Sequence, residues 1–255
     1  MEIQLRYPLL VFVLSFFTLW FSAGIGSFLS KRGRKPEETA HEDLGVILGA
    51  TLTLLGLIIG FSFSMAVSRY DQRKNNEAVE ANVIGTEYVR AGLLPAADGA
   101  RVRALLSKYV EQRILFYTTR DDRQIALINA YTAQLQTEMW STVEASARAQ
   151  PTPLVALAVS GMNDVLDSQG YTQASWWNRI PIAAWAMMMA IGIGCNLLIG
   201  YSARNFRMTS LLSLVLPLVV AIAFFLIADI DSPRRGVIRV APQNMISLQE
   251  SLQAR

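Results

Sequence analysis

Side chains that do chemistry are scarce in this sequence. It holds one histidine and one cysteine in 255 residues. A single cysteine excludes an intrachain disulfide framework and a thiolate metal cluster. Cys195 lies inside an apolar run and reads as a small packing residue. The lone histidine, His41 in "EETAHED", cannot build a His-based dyad or triad, and beside those carboxylates it reads as a solvated loop residue. G-x-x-x-x-G-K-[ST], G-x-G-x-x-G and H-E-x-x-H are all missing, so nucleotide and zinc-hydrolase chemistry have no carrier. No catalytic activity, cofactor or metal is expected. Alternating strand patterns are missing too, apart from "VIRV" at 237–240, the one short candidate.

Charge is the next scarcity. Charged residues make up 17% of the chain against 52% hydrophobic, and the mean hydropathy is +0.31. Together these indicate an integral membrane protein. The net charge of +3 is accounted for by membrane-flanking loops and lipid head groups, so nucleic acid is not expected as a partner. Four runs, 8–29, 44–67, 180–202 and 209–228, contain no Asp, Glu, Lys, Arg or His. Each can cross about 30 Å of hydrocarbon as a helix. The first has the look of a secretory signal, but its apolar character continues past a cleavage point and "KRGRK" follows as a stop-transfer signal. It is expected to be a retained span. Pumps and ion-coupled transporters place ionisable groups at midplane, and these spans have none.

What is present is a helix that does not stop. "LLGLIIGFSFSMAVSRYDQRKNNEAVE" turns from bilayer-grade sequence to dense charge after Val67, with no proline and no glycine after Gly60 to end it. From 44 to 92 only Gly85 interrupts the polar part, and a rod that long reaches roughly 70 Å. Further amphipathic helices follow, marked by Val102, Leu105, Leu106, Tyr109, Val110 and Phe116, then by Ile128, Tyr131, Leu135, Met139 and Val143. Pro95 and Asp98 precede the first of these and "RDDR" opens the second. "PTP" at 151–153 ends it before a third at 154–169, and a terminal helix is expected at 244–252. The fold class is thus an all-α integral membrane protein. Residues 1–67 carry the first two transmembrane helices, 68–179 a helical extramembrane domain, 180–228 the third and fourth transmembrane helices, and 229–255 a C-terminal tail.

Four spans put both termini and the helical domain on one side. The positive-inside rule does not choose it: Lys31, Arg32, Arg34, Lys35, Arg204 and Arg207 lie in the short loops, while Arg6, Arg69, Arg73, Lys74, Arg179, Arg234, Arg235 and Arg239 lie on the opposite flanks. Asp229 and Asp231 in "ADIDSPRRG" could hold a hard cation, but the plainer reading is a turn with Arg234 and Arg235 paired to the acids or to lipid phosphate. Asp164 and Asp167 in "NDVLD" read as a polar helix face. At about 100° per residue, Gly45, Gly49, Gly56 and Gly60 share one narrow wedge that lets another helix approach closely. Opposite lie Leu54, Leu57, Ile58, Phe61 and Met65, facing lipid, a neighbouring helix or a pore.

The ordered series "GFSFSMAVSRYDQRKNNEAVEANVIGTEYVRAGLLP", "LLSKYVEQR", Trp140, "NDVLD", "RIPIAAW" and "DIDSPRRGVIRV" resembles the bestrophin-like domain family of bacterial membrane proteins. The resemblance covers most of the chain from Leu44 onward. That family is related to bestrophins, pentameric ion channels with four spans per subunit and cytosolic termini. At the span exit, Phe61 or Phe63, Arg69, Tyr70 and Arg73 echo only part of the bestrophin motif: the arginine that follows its phenylalanine and the glutamate of its E-A-R are not found here. The resemblance implies a homo-oligomer, a pentamer, in the inner membrane, with its helical domain in the cytoplasm. It implies a channel for small inorganic ions, anions in particular, whose apolar neck is Leu54, Ile58, Phe61 and Met65 on the second span. Arg69 and Arg73 are then expected at the pore mouth, where cationic rings concentrate anions, or on lipid phosphate. The alternative is a non-conducting membrane scaffold or sensor whose helical domain binds a partner.

Overall fold

The computed structural model describes residues 7–32, 38–202 and 206–254, with side chains at 7–32, 43–202 and 214–254. The side chains of His41, Arg6, Arg34, Lys35, Arg204 and Arg207 lie outside the described residues. The element order is α1 (Pro8–Arg32), α2 (Glu38–Arg90), a 3-10 turn (Ala91–Leu93), α3 (Ala96–Thr118), α4 (Asp122–Ala149), α5 (Pro153–Trp177), α6 (Ile182–Ser202), α7 (Phe206–Asp231) and α8 (Gln243–Gln253). No strand forms among the described residues. Four helical stretches are long and apolar enough to cross a membrane: Pro8–Arg32, part of Asp43–Leu93, part of Pro153–Ser202, and Leu214–Asp231. The chain is that of a multi-pass membrane protein.

Two compact units result, Met1–Arg69 with Arg179–Ile238, and Tyr70–Asn178 with Arg239–Arg255. The rod expected from the unbroken sequence is real: α2 is a single helix of 53 residues. Gly85 does not interrupt it, because one glycine in a helix costs only about 1 kcal/mol.

In the first unit α1 packs against α6 and α7. A Cβ at Gly26 would run into the carbonyl oxygen of Leu197, and one at Gly200 into that of Ala23. Glycine at both positions lets the α1 and α6 backbones touch, which is how helices gain contact where lipid removes any hydrophobic drive. Leu19, Met188, Cys195, Ala221 and Phe224 fill the remaining space, and Trp185 meets Phe224 edge-on at 6.0 Å. The buried hydroxyls of Ser15 and Ser22 donate to the carbonyls of Phe12 and Leu19 one turn back, so α1 carries polar side chains inside the bundle without loose donors.

The second unit has a helical core of its own. Val102, Leu106, Tyr109 and Val110 of α3, Leu135, Met139 and Val143 of α4, and Val155, Met162 and Val165 of α5 form one cluster with Met245 of α8. Tyr131 departs from the expected pattern and is 38% exposed. Helix starts follow the local chemistry. Asp121 accepts from the N–H of Arg123 to open α4, and Thr152 accepts from that of Val155 ahead of Pro153 to open α5. The third amphipathic helix runs eight residues past its expected end at 169, to Trp177. There Thr172, Ser175 and Trp176 are buried although the sequence turns polar.

The candidate strand at 237–240 does not form. The N–H groups of Val237 and Ile238 donate to the Asp229 carboxylate at 2.7 and 2.8 Å. Two of the segment's four N–H groups are thus bound to that side chain instead of to a ladder.

Candidate functional site

The first question about α2 is which of its faces the chain covers itself. In the membrane half the buried positions are Leu55, Ser62 and Ala66. In the polar half they are Arg73, Glu77, Glu80, Ala81, Ile84 and Glu87, followed by Ala91 at the start of the 3-10 turn. Steps of three, four and seven keep these on one side of the helix.

The rest of the membrane half is open. Only 6% of the apolar window on α2 is buried, against 33% on α1 and 50% on Leu214–Asp231. The second span is therefore the one that its own protomer protects least. Leu54, Leu57, Phe61 and Met65 are 46, 53, 64 and 42% exposed, whereas Ile58 is half-buried. A Cβ at Gly45, Gly49, Gly56 or Gly60 would meet nothing within 4 Å. The close glycine contacts lie instead at Gly26 and Gly200, outside the wedge expected from the sequence. At about 100° per residue the glycines stand on one flank of the buried line, Leu54, Ile58 and Met65 on the other. Leu57, Ser64 and Ser68 lie at the back, with Phe61 beside them.

The arginines at the exit turn inward. Arg69 Nη1 lies 3.4 Å from Asp231 Oδ1, with side chains only 14% and 9% exposed. The same carboxylate accepts the Ile180 N–H at 3.2 and 3.1 Å. Arg73 is 1% exposed and donates to the carbonyl oxygens of Ser175 and Asn178 at the C-terminal end of α5. A guanidinium there complements the carbonyls that the end of a helix leaves unpaired. Both arginines thus have partners within the chain, Asp231 for Arg69 and the Ser175 and Asn178 carbonyls for Arg73. Asp229 and Asp231 likewise serve as acceptors for backbone N–H groups, and no cluster of three metal-ligating residues occurs among the described residues. Asp164 carries an ion pair with Arg90 at 3.8 Å, in keeping with a polar face.

The acids of α2 hold the helical unit together. Glu80 pairs with Arg113 at 2.5 Å, both side chains fully buried, and accepts from Thr172 Oγ1 at 2.8 Å and Tyr117 OH at 3.4 Å. The Arg113 guanidinium also lies 4.3 Å from the centre of the Phe116 ring. Burial, and then the Glu80 charge, push the Tyr117 hydroxyl pKa well above its ordinary value. Glu77 accepts from Asn244 Nδ2 and the Met245 N–H, which fixes the start of α8. Glu87 is buried with neither oxygen hydrogen-bonded. The three- and four-residue spacing of Glu77, Glu80, Ile84 and Glu87 is the one sign of this inward face that the sequence carries.

Known proteins supply the family. The sequence model of the bestrophin-like domain matches residues 15–245. No curated protein sequence matches. Among solved structures, a bacterial bestrophin homologue from Klebsiella pneumoniae aligns with TM-score 0.66 at 12% identity, over 96% of this chain and 97% of that one. A point variant of a bacterial bestrophin homologue from the same organism gives 0.66 over 97% and 98% at the same identity. A further structure, described as a membrane protein variant, gives 0.67 over 96% and 97%, also at 12%. At that identity these likenesses establish a common fold, while the match over 15–245 establishes the kinship: the chain belongs to the bestrophin-like domain family.

Proposed function

We propose that this protein is a homo-oligomeric ion channel whose pathway runs along α2. The observation that carries the reading is the uncovered second span: an apolar helix 6% buried in its own protomer, with one flank of glycines and one flank of bulky side chains. Lipid alone would not call for two such different flanks. In a closed ring each copy meets the next through unlike surfaces. The wedge of Gly45, Gly49, Gly56 and Gly60 then receives Leu54, Ile58 and Met65 of the adjacent copy, and the backs of the helices border the axis. Phe61 and Leu57, the most open of the large side chains from 54 to 65, then make the apolar neck, while Leu54, Ile58 and Met65, expected in the neck from the sequence, sit in this arrangement at the seam between copies. Such a constriction resists water until it widens.

A pentamer in the inner membrane, with termini and helical unit in the cytoplasm, is the arrangement the family resemblance favours. Purified protein in liposomes, assayed for potassium and chloride flux and sized by native mass analysis, tests the channel. Oligomers without flux would leave the scaffold reading. Orientation is tested in a Cys195→Ser background: an impermeant thiol reagent on intact cells should label a cysteine at Ser30 and spare one at Ser107.

A further inference from the structure

The expectation of an anion pathway rests in part on Arg69 and Arg73, and both are held inside the protomer. The ion class then depends on what the open side of α2 presents beyond the apolar stretch. From Tyr70 onward the buried face is Arg73, Glu77, Glu80, Ile84 and Glu87. The exposed back of the same helix carries Asp71, Asn75, Val79, Asn82, Thr86 and Val89. This is an unusual division. Charged side chains normally occupy the solvent face of an amphipathic helix and are almost never buried. Here four of them are inside, and the outside is hydroxyl, amide and valine with one carboxylate.

Asp71 is thus the only ionisable residue on that back face. It lies within about 40° of the line opposite the buried face, at 100° per residue. The other charges of the segment point elsewhere. Lys74 is exposed, but it lies about 60° around the helix from Asp71, toward the buried side. Arg90 is half-buried and pairs with Asp164. Asp71 itself is exposed and makes no ion pair among the described residues. An uncharged polar surface with an isolated acid suits a water-filled path, where ions need weak, exchangeable contacts and one fixed charge decides their sign.

Building on the channel reading, we infer that Asp71 is the ion-selecting residue. One Asp71 per subunit, repeated about the symmetry axis, makes a ring of carboxylates on the exit side of the neck. That ring concentrates small monovalent cations and turns anions back. The asparagines and threonine further along supply oxygen dipoles for a partly hydrated cation without binding it tightly.

The test is the potassium-to-chloride permeability ratio, from reversal potentials of the full-length protein in liposomes under a KCl gradient. Wild type should favour potassium on the order of tenfold, the lower range of charge-focusing effects. Asp71→Asn should bring the ratio close to one and Asp71→Lys should invert it, while Lys74→Gln leaves it near the wild-type value. Size analysis of each variant guards against misassembly. A wild-type preference for chloride, or a ratio unchanged in Asp71→Asn and Asp71→Lys, overturns the inference and leaves the channel standing. Absence of flux in correctly sized wild-type protein removes the channel reading, and this inference with it.

Discussion

Arg69 and Asp231 are 162 positions apart in sequence and 3.4 Å apart in space. Their pairing joins α2, where it leaves its apolar stretch, to the last residue of α7. Because the same carboxylate accepts the Ile180 N–H, one side chain also fixes the segment that leads into α6. Removing the acid leaves a guanidinium and a backbone donor unpaired in a site with little water. Asp231→Ala should therefore destabilise the protein by about 3 kcal/mol, the low end for breaking a buried pair. Asp231→Asn, which still accepts from Ile180, should cost less. Thermal midpoints in detergent rank the two, and equal midpoints would reduce the pair to a surface contact.

The neck makes a prediction about size. Phe61 is 64% exposed and Ile58 half-buried in the protomer. In the proposed arrangement, truncating Phe61 empties the axis, while truncating Ile58 trims a side chain at the flank between copies. Potassium flux through liposomes should rise in Phe61→Ala and change little in Ile58→Ala. A larger effect at Ile58 would rotate the pore-facing side of α2 toward the flank.

Much of this architecture is legible in the sequence, and the exceptions have physical causes. The four spans can be read because about twenty apolar, uncharged residues in a row are what a helix needs to cross hydrocarbon and what a soluble helix avoids. The α3 core from Val102 to Phe116 follows directly from its spacing. Arginine, in contrast, gives no sign of direction in a sequence. Arg69 and Arg73 read as outward-facing because charge is costly inside, yet carbonyl oxygens and Asp231 compensate them. The same holds at the end of α5, where Thr172 and Ser175 are buried because their hydroxyls bond to Glu80 and to the Thr172 carbonyl. "VIRV" misleads for the reverse reason: its β-branched residues suit a strand, but Asp229 binds the N–H groups of its first two residues. An acid can answer a buried donor from anywhere in the chain, and local periodicity carries no record of it.

Glu87 predicts a pH dependence. Its carboxyl is buried with no hydrogen bond, and desolvation raises its pKa from 4.5 to about 8. The Arg90 charge opposes that rise, and the Asp164 charge on α5 adds to it. At neutral pH the folded protein keeps a proton that the unfolded chain releases. Stability is then fully present below about pH 4.5 and falls as pH climbs toward 8, by at most about 1.4 kcal/mol per unit from this group. Glu87→Gln removes the proton linkage. Its thermal midpoint should vary less than that of wild type between pH 5 and 8, and should exceed it at pH 8. Parallel curves for the two proteins would mean that water reaches the carboxylate.

The glycines divide into two groups with different consequences. At Gly26 and Gly200 an added Cβ would strike a backbone carbonyl of the facing helix, which cannot swing aside as a side chain can. Gly26→Ala and Gly200→Ala should each force α1 and α6 apart and cost about 1–3 kcal/mol, the usual range for overpacking. At Gly56 and Gly60 an added Cβ meets nothing in the protomer. Replacing either by alanine should leave the fold intact and even favour the helix by up to about 1 kcal/mol. Leucine at those positions fills the wedge proposed to receive the adjacent copy. Gly56→Leu and Gly60→Leu should keep the helical content of wild type and lose the oligomer, which circular dichroism and native mass analysis report separately. If both variants assemble to the wild-type size, the wedge faces lipid, and the copies must meet through some other surface of α2.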